Sequence, residues 1–325
     1  MVFHAGRFAP RWYQPQMTRL IRRRSSCRGR SNSYIYGLSR PLMKMIDIHT
    51  HAGRLLHYLP HLEVEDLIAV LDREKIDRAC LMAVENPEEC DYFFTTEQVL
   101  AACQRFPDRL IPFCSVDPRH RYPESFDPLP IIREYAERGC RGFGEVLAGV
   151  PVDHPGMQKI YAACGEVGLP VLFHQDHLIM ADEPGAPRLE KMLQTYPNTI
   201  FIGHSTRFWA EISLDADLDP VRLAQYPSGP VIPTGPTDRL LGQYPNLYGD
   251  ISANSGYTAL TRDPAFGLDF LERHQDKLLF GTDVLKPGQP LPIVEFMRTC
   301  AISATARAKI CHGNAERLLK ITSLC

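Results

Sequence analysis

Ile46-Asp47-Ile48-His49-Thr50-His51 is the stretch on which the reading of this chain turns. An apolar run ends in two histidines, two residues apart. Side chains of a β-strand alternate with period 2, so His49 and His51 point to the same side. Two imidazoles side by side at a strand's end can hold one divalent metal ion, and the other ligands of such a site are to be sought downstream.

From Lys44 onward, short apolar runs alternate with helical patterns. Candidate strands cover 45–49, 78–84, 110–116, 140–146, 170–174, 199–204, 246–252 and 278–282. They are rich in Ile, Val, Leu and Phe and lack polar alternation, as strands covered on both faces do. Amphipathic segments lie between most of them, at 64–75, 96–106, 129–138, 156–167, 187–196 and 263–275. Eight strands with intervening helices predict an α/β fold, a (β/α)8 TIM barrel. Two open doubly wound sheets are the rival, but neither a G-x-G-x-x-G after an early strand nor a G-x-x-x-x-G-K-[ST] supports it. Residues 205–245, with Pro220, Pro227, Gly229, Pro230, Pro233, Gly235 and Pro236, read as an unusually long connection after the sixth strand, over the active-site end of a barrel.

The 325 residues fit one such barrel preceded by an extension. Residues 1–42 hold nine Arg and no Lys, Asp or Glu, so that segment carries +9 and the rest of the chain −11 of a total of −2. We therefore divide the chain into an Arg-rich extension, 1–43, expected to be disordered, and a single barrel domain, 44–325. The extension has the composition of a mitochondrial transit peptide. The plainer reading is a disordered extension, or an upstream start with Met43 or Met45 as the true one, which predicts a cytoplasmic protein. The acidic body argues against a nucleic-acid partner. No apolar stretch is long enough to span a bilayer, so no membrane partner is expected. A small-molecule substrate is, and a homo-oligomer is left open. The ten cysteines include no Cys-x-x-Cys pair and several lie in apolar runs, so they read as reduced, buried thiols rather than a disulfide framework or a thiolate zinc site.

Barrel enzymes carry their chemistry at strand C-termini. The first strand ends with His49 and His51, the fourth with Glu145, the fifth with His174, the sixth with His204 and the eighth with Asp283. Each has a plainer reading alone: a lone strand-end histidine is more often a satisfied polar residue than a ligand, and Asp283 could cap a helix. Five strands ending in this order are harder to dismiss. Imidazole and carboxylate together suit zinc or a similar first-row ion, one ion being the simpler scheme and two the other.

The segments Ile46–His51, Gly142-Phe143-Gly144-Glu145, Phe173-His174, Ile202-Gly203-His204, Phe280-Gly281-Thr282-Asp283 and Lys309–Ala315 together resemble the amidohydrolase superfamily of metal-dependent (β/α)8 enzymes. More narrowly, the chain is similar to the amidohydrolase-related group that includes aminocarboxymuconate-semialdehyde decarboxylase and the resorcylate decarboxylases, over about residues 45–321. The resemblance implies that His49 and His51 ligate the first metal and that His174 is the third ligand in a single-metal scheme. Asp283 would contact the metal or its water and shuttle a proton. His204 would be an acid/base or electrophile with one metal, or bind a second ion with His174. Glu145 would then bridge the two.

The leading expectation is a metal-dependent hydrolase acting on a small amide, ester or lactone, with Asp283 and His204 catalytic and His49, His51, His174, Asp283, Glu145 and His204 as the metal-ligand candidates. The alternative is non-oxidative decarboxylation of a small carboxylic acid by the same residues. Phosphodiester hydrolysis is disfavoured by the acidic body. A barrel that binds metal only structurally is disfavoured because structural zinc sites are usually closed and often built from cysteines. Arg54, Arg207, Phe208, Trp209, Asn254 and Tyr257 are weaker substrate-facing candidates, with Trp209 as readily an anchor for the long connection.

Overall fold

Eight short, almost wholly apolar segments become eight strands: β1 Ile46–Thr50, β2 Arg78–Leu81, β3 Leu110–Cys114, β4 Gly142–Val146, β5 Val171–His174, β6 Phe201–His204, β7 Leu247–Asp250 and β8 Leu278–Leu279. The computed structural model describes residues 43–88 and 90–321. The strands are parallel and pair in sequence order. The end of the chain's last strand returns to the first through Ile48 N to Phe280 O, Asp283 N to His49 O and His51 N to Val284 O, each 2.9 Å. This is the expected (β/α)8 TIM barrel.

Both faces of the strands are buried, which is why they read as unbroken apolar runs. Inside the barrel, Ile46, Ile48, Cys80, Met82, Ile111, Phe113, Leu172, Ile202 and Leu279 pack together, and Ala315 and Leu319 of the last helix join them. The opposite faces, with Ala79, Leu81, Phe143, Val171, Phe173 and Phe201, meet the surrounding helices. Helix Val64–Arg73 shows how those helices are specified. It buries Val64, Leu67, Val70 and Leu71 on one stripe and places Glu65 and Asp66 in its first turn, where the helix dipole favours acids. Helix Thr96–Arg105 starts with a Thr95–Gln98 capping box.

Two strands depart from regular pairing, and both carry residues of the site described below. In β1 the register shifts between Asp47 and Thr50, and in β4 between Phe143 and Val146. Ile46 and Ile48 already face the barrel interior, so strict alternation would turn His49 and His51 outward. The irregularity re-aims them, as bulges next to active sites commonly do. In β5 and β6 no correction is needed: Leu172 and His174, and Ile202 and His204, share the inward phase.

The connection over 205–245 is more structured than its Pro and Gly content suggests. It holds helices Thr206–Ala210, Pro220–Leu223 and Pro236–Gln243. Pro220 and Pro236 open helices, where a missing N–H costs nothing. Phe208 and Trp209 are buried there, and Trp209 Nε1 donates to Asp250 O at 2.8 Å, so the tryptophan anchors the connection to β7. The extension over 1–43 lies outside the described residues but for Met43. Among the described residues no two cysteines form a disulfide, and no helix is long and apolar enough to cross a membrane.

Candidate metal centre

The strand ends bring Glu145 and Asp283 oxygens around the Nε2 atoms of His49 and His51 at the mouth of the barrel. His49 Nε2 lies 2.9 Å from His51 Nε2, 3.3 Å from Glu145 Oε2 and 3.6 Å from Asp283 Oδ1. His51 Nε2 lies 3.4 Å from Glu145 Oε2 and 3.2 Å from Asp283 Oδ1. Four donors around one tetrahedral zinc at about 2.0–2.1 Å would stand roughly 3.4 Å apart, so these separations suit a single ion. His204 Nε2 stands farther out, 3.9 Å from Glu145 Oε1 and 3.8 Å from Asp283 Oδ2. Two overlapping triads, His49–His51–Asp283 and His49–Glu145–His204, each have ligand atoms close enough to share a metal ion.

His174 stands apart from both triads. Its Nδ1 donates to Glu145 Oε1 at 2.9 Å, and its Nε2 accepts from the Ser205 hydroxyl at 2.7 Å. In this arrangement it orients Glu145 instead of joining either triad, which differs from the third-ligand place that the resemblance implies.

Asp250, at the end of β7, organises the site from behind. Its Oδ2 accepts from His49 Nδ1 at 2.8 Å, from His204 Nδ1 at 3.0 Å and from the Ser252 hydroxyl at 2.7 Å. Holding both Nδ1 atoms fixes the tautomer and aims both Nε2 atoms into the site, the usual service of an outer carboxylate to a ligating histidine. The sequence reading passed over Asp250, although the strand-end rule applied to the seventh strand would have found it. Asp47 supports the opposite edge: its carboxylate accepts from Thr282 Oγ1 at 2.6 Å, Thr282 N at 2.9 Å and His49 N at 3.0 Å, tying β1 to the segment that carries Asp283.

The electrostatics point the same way. Burial works to raise the pKa of Glu145, but the imidazoles around it, His49 foremost, hold it well below the usual carboxylate range. Asp283 is lowered against the same burial penalty, again by His49 first. Asp250 is lowered chiefly by His204. His49 and His51 are raised although burial alone would lower them, by Glu145 and Asp283 in the first case and Asp283 and Glu145 in the second. Each carboxylate is thus matched by an imidazole beside it, and a cation bound among them would take over that pairing. The buried His51 Nδ1 has no hydrogen-bond partner. The donor set therefore fits a divalent metal ion.

Two of the ligand-type side chains open to the mouth. Asp283 is 18% exposed and His174 26%, against 0–4% for His49, His51, Glu145 and His204. Two of the weaker substrate-facing candidates are engaged elsewhere. Arg207 is buried against Glu211, and Arg54 is exposed, bonded to His57 O and set over the Tyr92 ring.

Solved structures with the same fold are similar in their outline but distant in sequence. An uncharacterised TIM-barrel protein from Bordetella bronchiseptica superposes with a TM-score of 0.62 at 18% identity, covering 86% of this chain and 99% of its own. A probable 2-pyrone-4,6-dicarboxylic acid hydrolase from Acinetobacter baumannii gives 0.55 at 15% identity, covering 86% and 100%. A dihydroxybenzoic acid decarboxylase from Polaromonas, solved with manganese, gives 0.54 at 15% identity, covering 87% and 98%. No curated protein matches in sequence. Residues 46–321 match the family model described as amidohydrolase, and the chain belongs to that family.

Proposed function

We propose that the chain is a metal-dependent, non-oxidative decarboxylase of a small carboxylic acid. The observation that carries this is the convergence of His49 Nε2, His51 Nε2, Glu145 Oε2 and Asp283 Oδ1 at the barrel mouth. Decarboxylases acting on 2,6-dihydroxybenzoate and 5-carboxyvanillate recur among the structures with this fold, which supports decarboxylation over the hydrolysis expected from the sequence. His49, His51, Glu145 and Asp283 would hold one ion. Two imidazoles and two carboxylates suit zinc, and manganese equally, the ion present in two of the related structures. When bound, the ion supplies Lewis-acid attraction for a substrate oxygen.

The residues of the chain do the rest. Loss of CO2 breaks a C–C bond and leaves its electron pair on carbon, where a proton must arrive. Asp283 is the cluster carboxylate that opens to the mouth, so it takes a proton from the incoming acid or from water and delivers it to that carbon. His204, anchored at Nδ1 by Asp250, keeps Nε2 toward Asp283 and stabilises negative charge on the reacting group.

Hydrolysis is the second reading, favoured by the hydrolase among the related structures. The two separate by products. The metal-loaded protein is incubated in 18O-water with 2,6-dihydroxybenzoate, 5-carboxyvanillate and 2-pyrone-4,6-dicarboxylate. Decarboxylation releases CO2 and leaves the organic product free of 18O; 18O in the organic product without CO2 would make the protein a hydrolase.

A further inference from the structure

Helix Ala253–Thr261 follows β7 immediately and leads into Arg262. Beside it lies a cavity of about 10 Å³, lined by Thr206, Trp209, Tyr226, Ser255, Thr258 and Arg262 among others. A space of that size takes one atom of the size of water or a halide. Two of the polar atoms of its lining residues are shielded from solvent and have no hydrogen-bond partner: Ser255 Oγ and Arg262 Nη2. Ser255 is only 5% exposed.

The lining side chains are one cation, four hydroxyl-bearing residues and apolar groups, with no carboxylate, amide or imidazole. The Trp209 N–H is already committed to Asp250 O. Burial pushes the Arg262 guanidinium down, and Asp215 and Asp263 offset this only in part. Both of those carboxylates have other partners, Asp215 the Ser213 hydroxyl and Asp263 the backbone N–H groups of Val231 and Phe266. A buried guanidinium N–H with no acceptor costs on the order of 1–3 kcal/mol, so an acceptor is missing from the picture. The hydroxyl oxygens could serve a water as well, but a water leaves the Arg262 charge without a counter-ion inside the cavity. A monatomic anion accepts from every side and offsets the charge.

We propose that this cavity is a halide site, chloride in the cell, held by Arg262 Nη2 and the Ser255 hydroxyl. It ties helix Ala253–Thr261 to Thr206 and Tyr226 of the connection after β6. Thr206 follows the Ser205 that bonds His174, and Ser255 lies one helical turn beyond the Ser252 that bonds Asp250, so the ion braces the wall of the metal centre.

The test uses bromide. Crystals of the full chain grown in sodium bromide are expected to show an anomalous bromine peak between Arg262 and Ser255. In solution, bromide is expected to raise Tm saturably over gluconate at equal ionic strength, by roughly 3 °C once it is about tenfold above its Kd. Arg262→Gln abolishes the shift and Ser255→Ala reduces it; the second variant serves if the first fails to fold. No anomalous peak in the cavity, or an equal Tm rise in both variants, overturns the proposal. A peak only beside His49 and His51 also overturns it, and leaves the reading of the metal centre untouched.

Discussion

His49 Nδ1 donates to Asp250 Oδ2 at 2.8 Å across 201 residues of chain, and this bond sets the direction of the whole centre. It closes the imidazole's outer edge and leaves Nε2 facing His51, Glu145 and Asp283. Both residues are fully buried, so water offers no substitute partner.

Asp250→Asn keeps the shape and removes the charged acceptor. Metal affinity, measured by competition with a chromogenic chelator, is expected to fall about 10–100-fold while the circular dichroism spectrum is unchanged. Affinity equal to that of the unaltered protein would mean that His49 and His204 are oriented by something else.

Gly203 sits in β6 one residue before His204, and a Cβ there would overlap the Phe208 ring. Phe208 is buried in the first helix of the long connection and has little room to give. Gly203→Ala is expected to cost about 1–3 kcal/mol, read as a lowered denaturation midpoint, and to displace the segment that follows His204. A midpoint equal to that of the parent would show that the connection repacks freely.

The acid stability of the barrel has a local source far from the metal centre. Asp238 is bonded to His274 Nε2 at 2.6 Å and Arg273 Nη1 at 2.7 Å. Burial opposes ionisation, but His274 and then Arg273 outweigh it and hold the carboxyl at about 2, below its ordinary 3.8. A carboxylate held low contributes stability above its unfolded pKa and loses it as pH falls through the folded one. The full shift would be worth about 2 kcal/mol; Arg273 is 40% exposed and screened, so about 1 kcal/mol is the better figure. Urea titrations should show Asp238→Asn less stable than the parent by that amount at pH 7, with the gap closing between pH 4 and 2. A gap that persists at pH 2 would contradict the assignment.

The sequence made the barrel legible because both faces of its strands are buried, and such runs stand out from the helices between them. The ends of strands carrying His49, His51, Glu145, His204 and Asp283 were legible for a second reason: parallel strands of a barrel all end on one side. Asp250 was within reach of the same strand-end rule, but it offers no ligand atom to the centre and acts through His49 and His204, so a search for ligands passes over it. Two things were hidden. The place of His174 depends on Glu145 and Ser205, which are neighbours only in the folded chain. The register shifts of β1 and β4 are invisible in a pattern of apolar letters, yet they decide which side His49 and Glu145 face.

The account rests on one ion at the mouth of the barrel. Crystals loaded with zinc or manganese, with diffraction recorded at the absorption edge of the metal, test it most directly. One anomalous peak per chain is predicted, at about 2.0–2.2 Å from His49 Nε2, His51 Nε2 and a carboxylate oxygen of Asp283, and it should vanish in His51→Ala. No peak at the mouth, or an undiminished one in His51→Ala, would contradict the account.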